Sequence, residues 1–146
     1  MDLTIKKDEV YREVAKTTAY VSSKMDDGTA YERIFTTDES REMLERFWDE
    51  SKNMVSNSLK RVFVSENETA GVYVLKLGVS TAFDDAQVAS MQRSLFSFFV
   101  MNITAKWYTI TNKDEAVGYA TEAATYIDEI KRKVYFKKKP TRPIYD

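Results

Sequence analysis

Between Asp84 and Ile110 apolar side chains stand on almost every side of what their spacing makes a helix: Val88, Met91, Leu95, Phe98, Phe99, Ile103, Trp107 and Ile110. A helix that is apolar all round has to be enclosed, by other helices of its own chain or by these together with a neighbouring subunit. At ~1.5 Å per residue it spans about 40 Å, so the rest of the chain must be organised around it. Its densest stretch, Leu95–Ile103 (LFSFFVMNI), is about half of the ~20 residues a membrane span needs, and Ser97 and Asn102 interrupt it. It reads as a buried segment, opened by Thr81, Asp84 and Asp85, and no membrane partner is expected.

The segments around this central helix have their own periods. Val10, Val14, Val21 and Met25 mark one face of a first helix between Ile5 and Met25, ended by Asp26-Asp27-Gly28-Thr29. Thr36 and Glu39 have capping-box spacing for a second helix, whose stripe of Leu44, Phe47, Trp48, Val55, Leu59 and Val62 carries it to about Arg61. After Gly71 the period becomes two, Tyr73, Leu75, Leu77 and Val79 alternating with Val72, Val74, Lys76 and Gly78, which predicts a strand. Its partner within the chain is Val62–Val64 across a polar turn from Ser65 to Ala70, the alternative being a strand from another subunit. Asn112 and Glu115 open a last helix with a seam of Ala116, Ala120, Ala123, Ile127, Ile130 and Val134. The short turn before it forces this seam against Leu95, Phe99, Ile103 and Trp107. Pro140 and Pro143 then prevent any further helix. The fold class is therefore mainly α: a four-helix antiparallel bundle with a small β-hairpin and an extended C-terminal arm. Of the aromatic residues Phe96, Phe98, Phe99, Trp107, Tyr108, Tyr119 and Tyr126, two or three exceed what one helical domain hides, and the surplus is expected in a subunit interface.

The residue types narrow the chemistry. The 146 residues include no cysteine and no histidine, which removes disulfides, Cys/His zinc sites, thiol nucleophiles and imidazole bases. The acidic pairs Asp26-Asp27, Asp84-Asp85, Asp114-Glu115 and Asp128-Glu129 are explained by turns, helix starts and a solvent face. With four glycines there is no phosphate-cradling loop. A non-enzymatic protein without cofactor or metal is expected. The start, MDLTIKKDEV, has no apolar run of signal-peptide length, so the cytoplasm, or an assembly built there, is the expected location.

The net charge of −1 conceals an asymmetry. Met1–Ile130 carries 15 Lys+Arg and 22 Asp+Glu, a net −7, whereas Lys131–Asp146 carries 7 and 1, a net +6. The candidate partner-binding residues are Lys137, Lys138, Lys139, Pro140, Arg142, Pro143, Ile144 and Tyr145. Docking on an acidic neighbouring protein is one reading, with the prolines lowering the entropy lost and Ile144 and Tyr145 as anchors. Tracking a nucleic-acid backbone, with Tyr135, Phe136 and Tyr145 as stacking rings, is a second. A solvated tail is the third.

The stretch from Gln92 to Asp146, with SFF at Ser97–Phe99, AKWY at Ala105–Tyr108, ITNK at Ile110–Lys113 and the closing YFKKKPTRPIYD, resembles small proteins encoded in the structural-gene region of tailed phages and prophages of gut bacteria. The front end, with YERI at Tyr31–Ile34, is similar too. The architecture also resembles head–tail connector (adaptor) proteins that form a ring below the portal. What the resemblance implies is a virion subunit assembled in the bacterial cytoplasm: residues 1–136 a connector-like helical domain, 137–146 a basic arm. Its implied partners are further copies in a homo-oligomeric ring, the portal or other head–tail proteins, and DNA passing through the ring. Tail completion, head decoration and a nucleic-acid-binding accessory role are the alternatives.

Overall fold

The computed structural model describes residues 1–24 and 38–140, with the side chains of 1–18 and 40–140. Four helices and three strands are found among them: β1 (Asp2–Lys6), α1 (Lys7–Lys24), α2 (Asp38–Ser58), β2 (Phe63–Thr69), β3 (Val72–Leu77), α3 (Val88–Thr111) and α4 (Lys113–Lys133). The chain is mainly helical, with one small antiparallel sheet in the order β1-β3-β2.

The sheet corrects the expected hairpin in two ways. Asp2–Lys6, expected to lie ahead of or inside the first helix, is a strand paired with β3, Leu3 opposite Leu75 and Ile5 opposite Tyr73. The turn lies at Ala70-Gly71, not at Ser65–Ala70, and Ser65–Thr69 belong to β2. Both turn residues have positive φ (52° and 76°), the two-residue geometry that matches the twist of the flanking strands. Val64 is the extra residue of a bulge, since Phe63 faces Leu77 while Ser65 already faces Lys76. One face of the sheet, with Leu3, Ile5, Tyr73, Leu75 and Leu77, is buried; on the other, Asp2, Lys6 and Lys76 are exposed.

α3 lies at the centre of the packing, against α1, α2, α4 and β1. Its middle is buried on nearly every side, from Leu95 through Phe98–Val100 to Asn102–Ala105. Phe99 is the hub of an aromatic cluster, its ring centroid 4.7 Å from Trp48, 5.6 Å from Tyr73 and 5.7 Å from Phe98. The buried Asn102 is satisfied by donating to Ser51 Oγ at 2.8 Å, and Ser51 in turn donates to the Phe47 carbonyl. The hydroxyls of Thr104 and Tyr108, one turn apart, are buried without a hydrogen-bond partner.

α3 and α4 form an antiparallel pair, fixed at one end by Ser94 donating to Glu129 and at the other by the Tyr108–Tyr119 ring contact at 5.5 Å. Ala116, Ala123, Ile127, Ile130 and Val134 line the seam as expected, but Ala120 is exposed and the half-buried Tyr119 takes its place. The helical period of 3.6 rotates the stripe past Ala120. Leu95, Phe99 and Ile103 are buried opposite, while Trp107 is only half-covered. The sheet adds a wall to the core that a helices-only reading lacks. Phe98, Phe99 and Tyr108 are buried, and Phe96, Trp107, Tyr119 and Tyr126 are half-buried against the core. The expectations at Val21, Met25, Asp26–Thr29 and the Thr36–Glu39 capping box lie outside the described side chains.

Candidate functional site at the basic end

The last turn of α4 carries Lys131, Arg132 and Lys133, cations that a helix C-terminus favours. Lys133 is tied to α3 through Ser90 Oγ. Val134 is buried, and the chain then turns outward at Tyr135 and Phe136. There it meets the loop ahead of α3. Asp84 N donates to the Phe136 carbonyl at 2.9 Å and Lys138 N donates to the Ala82 carbonyl at 2.8 Å, an antiparallel bridge that pairs Phe83 with Lys137. Lys138 Nζ also lies 3.3 Å from Asp85, with both side chains well exposed, so this ion pair adds little.

Lys137 and Lys138, expected as the start of an arm that leaves the domain, are instead held to it by this bridge. Lys139 and Pro140 are exposed. Arg142, Pro143, Ile144 and Tyr145 lie outside the described residues.

Two hollows flank this root. One, of ≈ 470 Å³, lies between the end of α2 and the end of α4, with Lys60, Arg61, Lys131 and Tyr135 on its walls. The other, of ≈ 380 Å³, is lined by Gly78–Ser80, Phe83 and Val134–Lys137. Tyr135 is 59% exposed, Phe136 37% and Val64, at the nearby bulge, 57%, so apolar surface sits among the cations. Lys60 and Arg61 were invisible as site residues, being about seventy positions away in sequence. Their one signal is their place just past Leu59, the last buried residue of the α2 stripe.

The acidic groups Asp84, Asp114, Glu115 and Glu68 have structural occupations. Asp84 caps the 3-10 turn Asp85–Gln87 by accepting from Ala86 N at 3.1 Å. Asp114 and Glu115 sit in the first turn of α4. Glu68, on β2, accepts from Trp48 Nε1 at 2.6 Å and from Lys52 at 3.0 Å, with Lys7 at 3.4 Å. Burial alone would raise the Glu68 carboxyl, but Lys52, Lys7 and the indole N–H together hold it below its ordinary value. Burial and the Glu45 carboxylate, which accepts its hydroxyl at 2.9 Å, push Tyr11 far above the usual phenol range. This network ties α1, α2 and β2 together. Among the described residues no group of three or more carboxylates is placed to hold a metal ion, and no helix is long and apolar enough to cross a membrane.

No family model matches the chain, and neither the curated proteins nor the solved structures contain a significant match.

Proposed function

We propose that the protein is a non-enzymatic subunit of a phage virion, a head–tail connector of the adaptor kind. In this reading the four helices form one antiparallel bundle, copies of the chain assemble into a homo-oligomeric ring, and the segment from Lys139 onward is an arm that docks on a neighbouring subunit or on the portal. The observation that carries the proposal is the anchored root. A basic, proline-containing segment that departs from a backbone-pinned point, beside exposed rings and clustered cations, has a defined direction of exit and loses less entropy on docking than a tail hinged loosely at a helix end. Its positive charge favours fast, oriented encounter with an acidic partner surface.

The same cations and exposed rings also support a second reading, a nucleic-acid-binding accessory protein. One truncation separates the two. Because Lys138 completes the bridge, the variant to make ends there, leaving the domain closed. Under the connector reading it keeps its helical content and loses self-association or portal binding in sedimentation velocity. Unchanged assembly refutes that reading, and loss of salt-sensitive DNA retention alone favours the accessory protein.

A further inference from the structure

We propose that the groove between β1 and α3 receives the C-terminal segment of a second copy, residues Arg142–Asp146 adding to the sheet as a strand parallel to β1. The inference rests on the reading above that this segment docks on a neighbouring subunit, and it names the receptor. The groove, of ≈ 690 Å³, has Thr4, Ile5 and Lys6 on one wall and Ala89, Gln92, Arg93 and Phe96 on the other. That volume lies within the range of about 300–1,000 Å³ typical of ligand sites.

The backbone of β1 is set up for another strand. Met1 and Leu77 exchange both backbone hydrogen bonds, and Lys7 N donates to the Gly71 carbonyl. In an antiparallel ladder these bonds alternate, so odd residues of β1 face β3 while Asp2, Thr4 and Lys6 turn their N–H and C=O groups outward, into the groove. Thr4 N is met by the side-chain oxygen of Gln92 at 3.2 Å, a contact that an incoming carbonyl would replace. β2, the other edge, is interrupted by its bulge at Val64 and carries the acids that serve the Trp48 and Tyr73 contacts. β1 is uninterrupted.

The C-terminal sequence fits this edge in three respects. Pro143 has no N–H, so a strand containing it pairs only through the alternate residues, and those are Arg142, Ile144 and Asp146, which all keep their donors. Antiparallel alignment through the same residues sets Arg142 beside Lys6 and Asp146 beside Asp2 on one face, like against like, whereas parallel alignment turns Arg142 and Asp146 to the other face of the sheet from Asp2 and Lys6 and avoids both repulsions. It also turns Ile144 to the α3 side of the sheet, over the half-buried Phe96.

The chain has no cysteine, so a cross-linking test starts from a clean background. Full-length Lys6→Cys and Tyr145→Cys chains, opposite each other in the parallel register, are mixed and oxidised; Lys6→Cys with Arg142→Cys reports the antiparallel register. The expected result is a mixed disulfide dimer from the first pair only. Alongside, Thr4→Pro removes the outward N–H without touching the β1–β3 ladder and should weaken self-association at least about tenfold with an unchanged circular dichroism spectrum. Self-association that persists with neither cross-link, or that Thr4→Pro leaves intact, overturns the groove as receptor while leaving the docking arm standing. If the mixed single-cysteine chains do not cross-link while a chain carrying both Lys6→Cys and Tyr145→Cys closes a disulfide within itself, independent of concentration, the second copy is overturned as donor. A full-length chain that is monomeric at all concentrations refutes the connector reading itself.

Discussion

Phe99→Ala tests whether α3 organises the interior. Phe99 is fully buried, and its ring touches Trp48 from α2, Tyr73 from β3 and Phe98 beside it at centroid distances of 4.7, 5.6 and 5.7 Å. Buried Phe-to-Ala changes cost about 3–5 kcal/mol when the cavity does not collapse. Each well-placed aromatic pair is worth about 0.5–1.5 kcal/mol beyond buried area, which puts Phe99 at the upper part of that range, near 4–5 kcal/mol. For a chain of this length 1 kcal/mol moves the melting temperature by roughly 2–4 °C, so a fall of roughly 8–20 °C is expected. Urea unfolding followed by far-ultraviolet circular dichroism is the assay, with an unchanged m-value showing that the same surface is exposed. Trp107→Ala, on the same helix but half-covered, should cost clearly less. If Phe99→Ala costs under about 1 kcal/mol, or no more than Trp107→Ala, the hub is misassigned.

Three further outcomes follow from particular contacts. Ala123 is 2% exposed on the α3–α4 seam, and Ala123→Leu should overpack it and cost about 1–3 kcal/mol in chemical denaturation. Thr104→Val keeps the shape and removes a buried hydroxyl that has no partner, so stability should rise by about 1 kcal/mol, read as a higher urea midpoint. Glu68 has a folded-state pKa below its ordinary 4.5, so its stabilising contribution is complete above pH 4.5 and is lost as pH falls through the lowered value; Glu68→Gln should flatten that part of the acid limb in pH-dependent melts.

Legibility in the sequence followed the number of apolar positions per element. α3 and α4 have long stripes, and their pairing could be read directly, with Ala120 misjudged because a heptad template does not rotate as a straight helix does. β1 was missed because Asp2–Lys6 offers only Leu3 and Ile5 as alternating apolar residues, too few to outweigh the helical pattern that begins beside them. The turn was misplaced because Ser65–Thr69 is polar. Its exposed strand is held by the β3 ladder and by Glu66 and Glu68 reaching Tyr73, Trp48 and Lys52, none of which periodicity reveals. At the basic end, the charge excess after Ile130 was plain, while the Phe83–Lys137 bridge and the contribution of Lys60 and Arg61 depend on contacts between distant segments. The groove beside β1 was hidden with its strand.

Under the connector reading, copies of this chain close into a ring through the segment beyond Lys138. Electron microscopy of the purified full-length protein, imaged beside the chain ending at Lys138, tests it most directly. Closed rings of uniform diameter are expected for the full-length chain and single folded particles for the truncated one; monomers in both preparations, or rings in both, refute the connector reading.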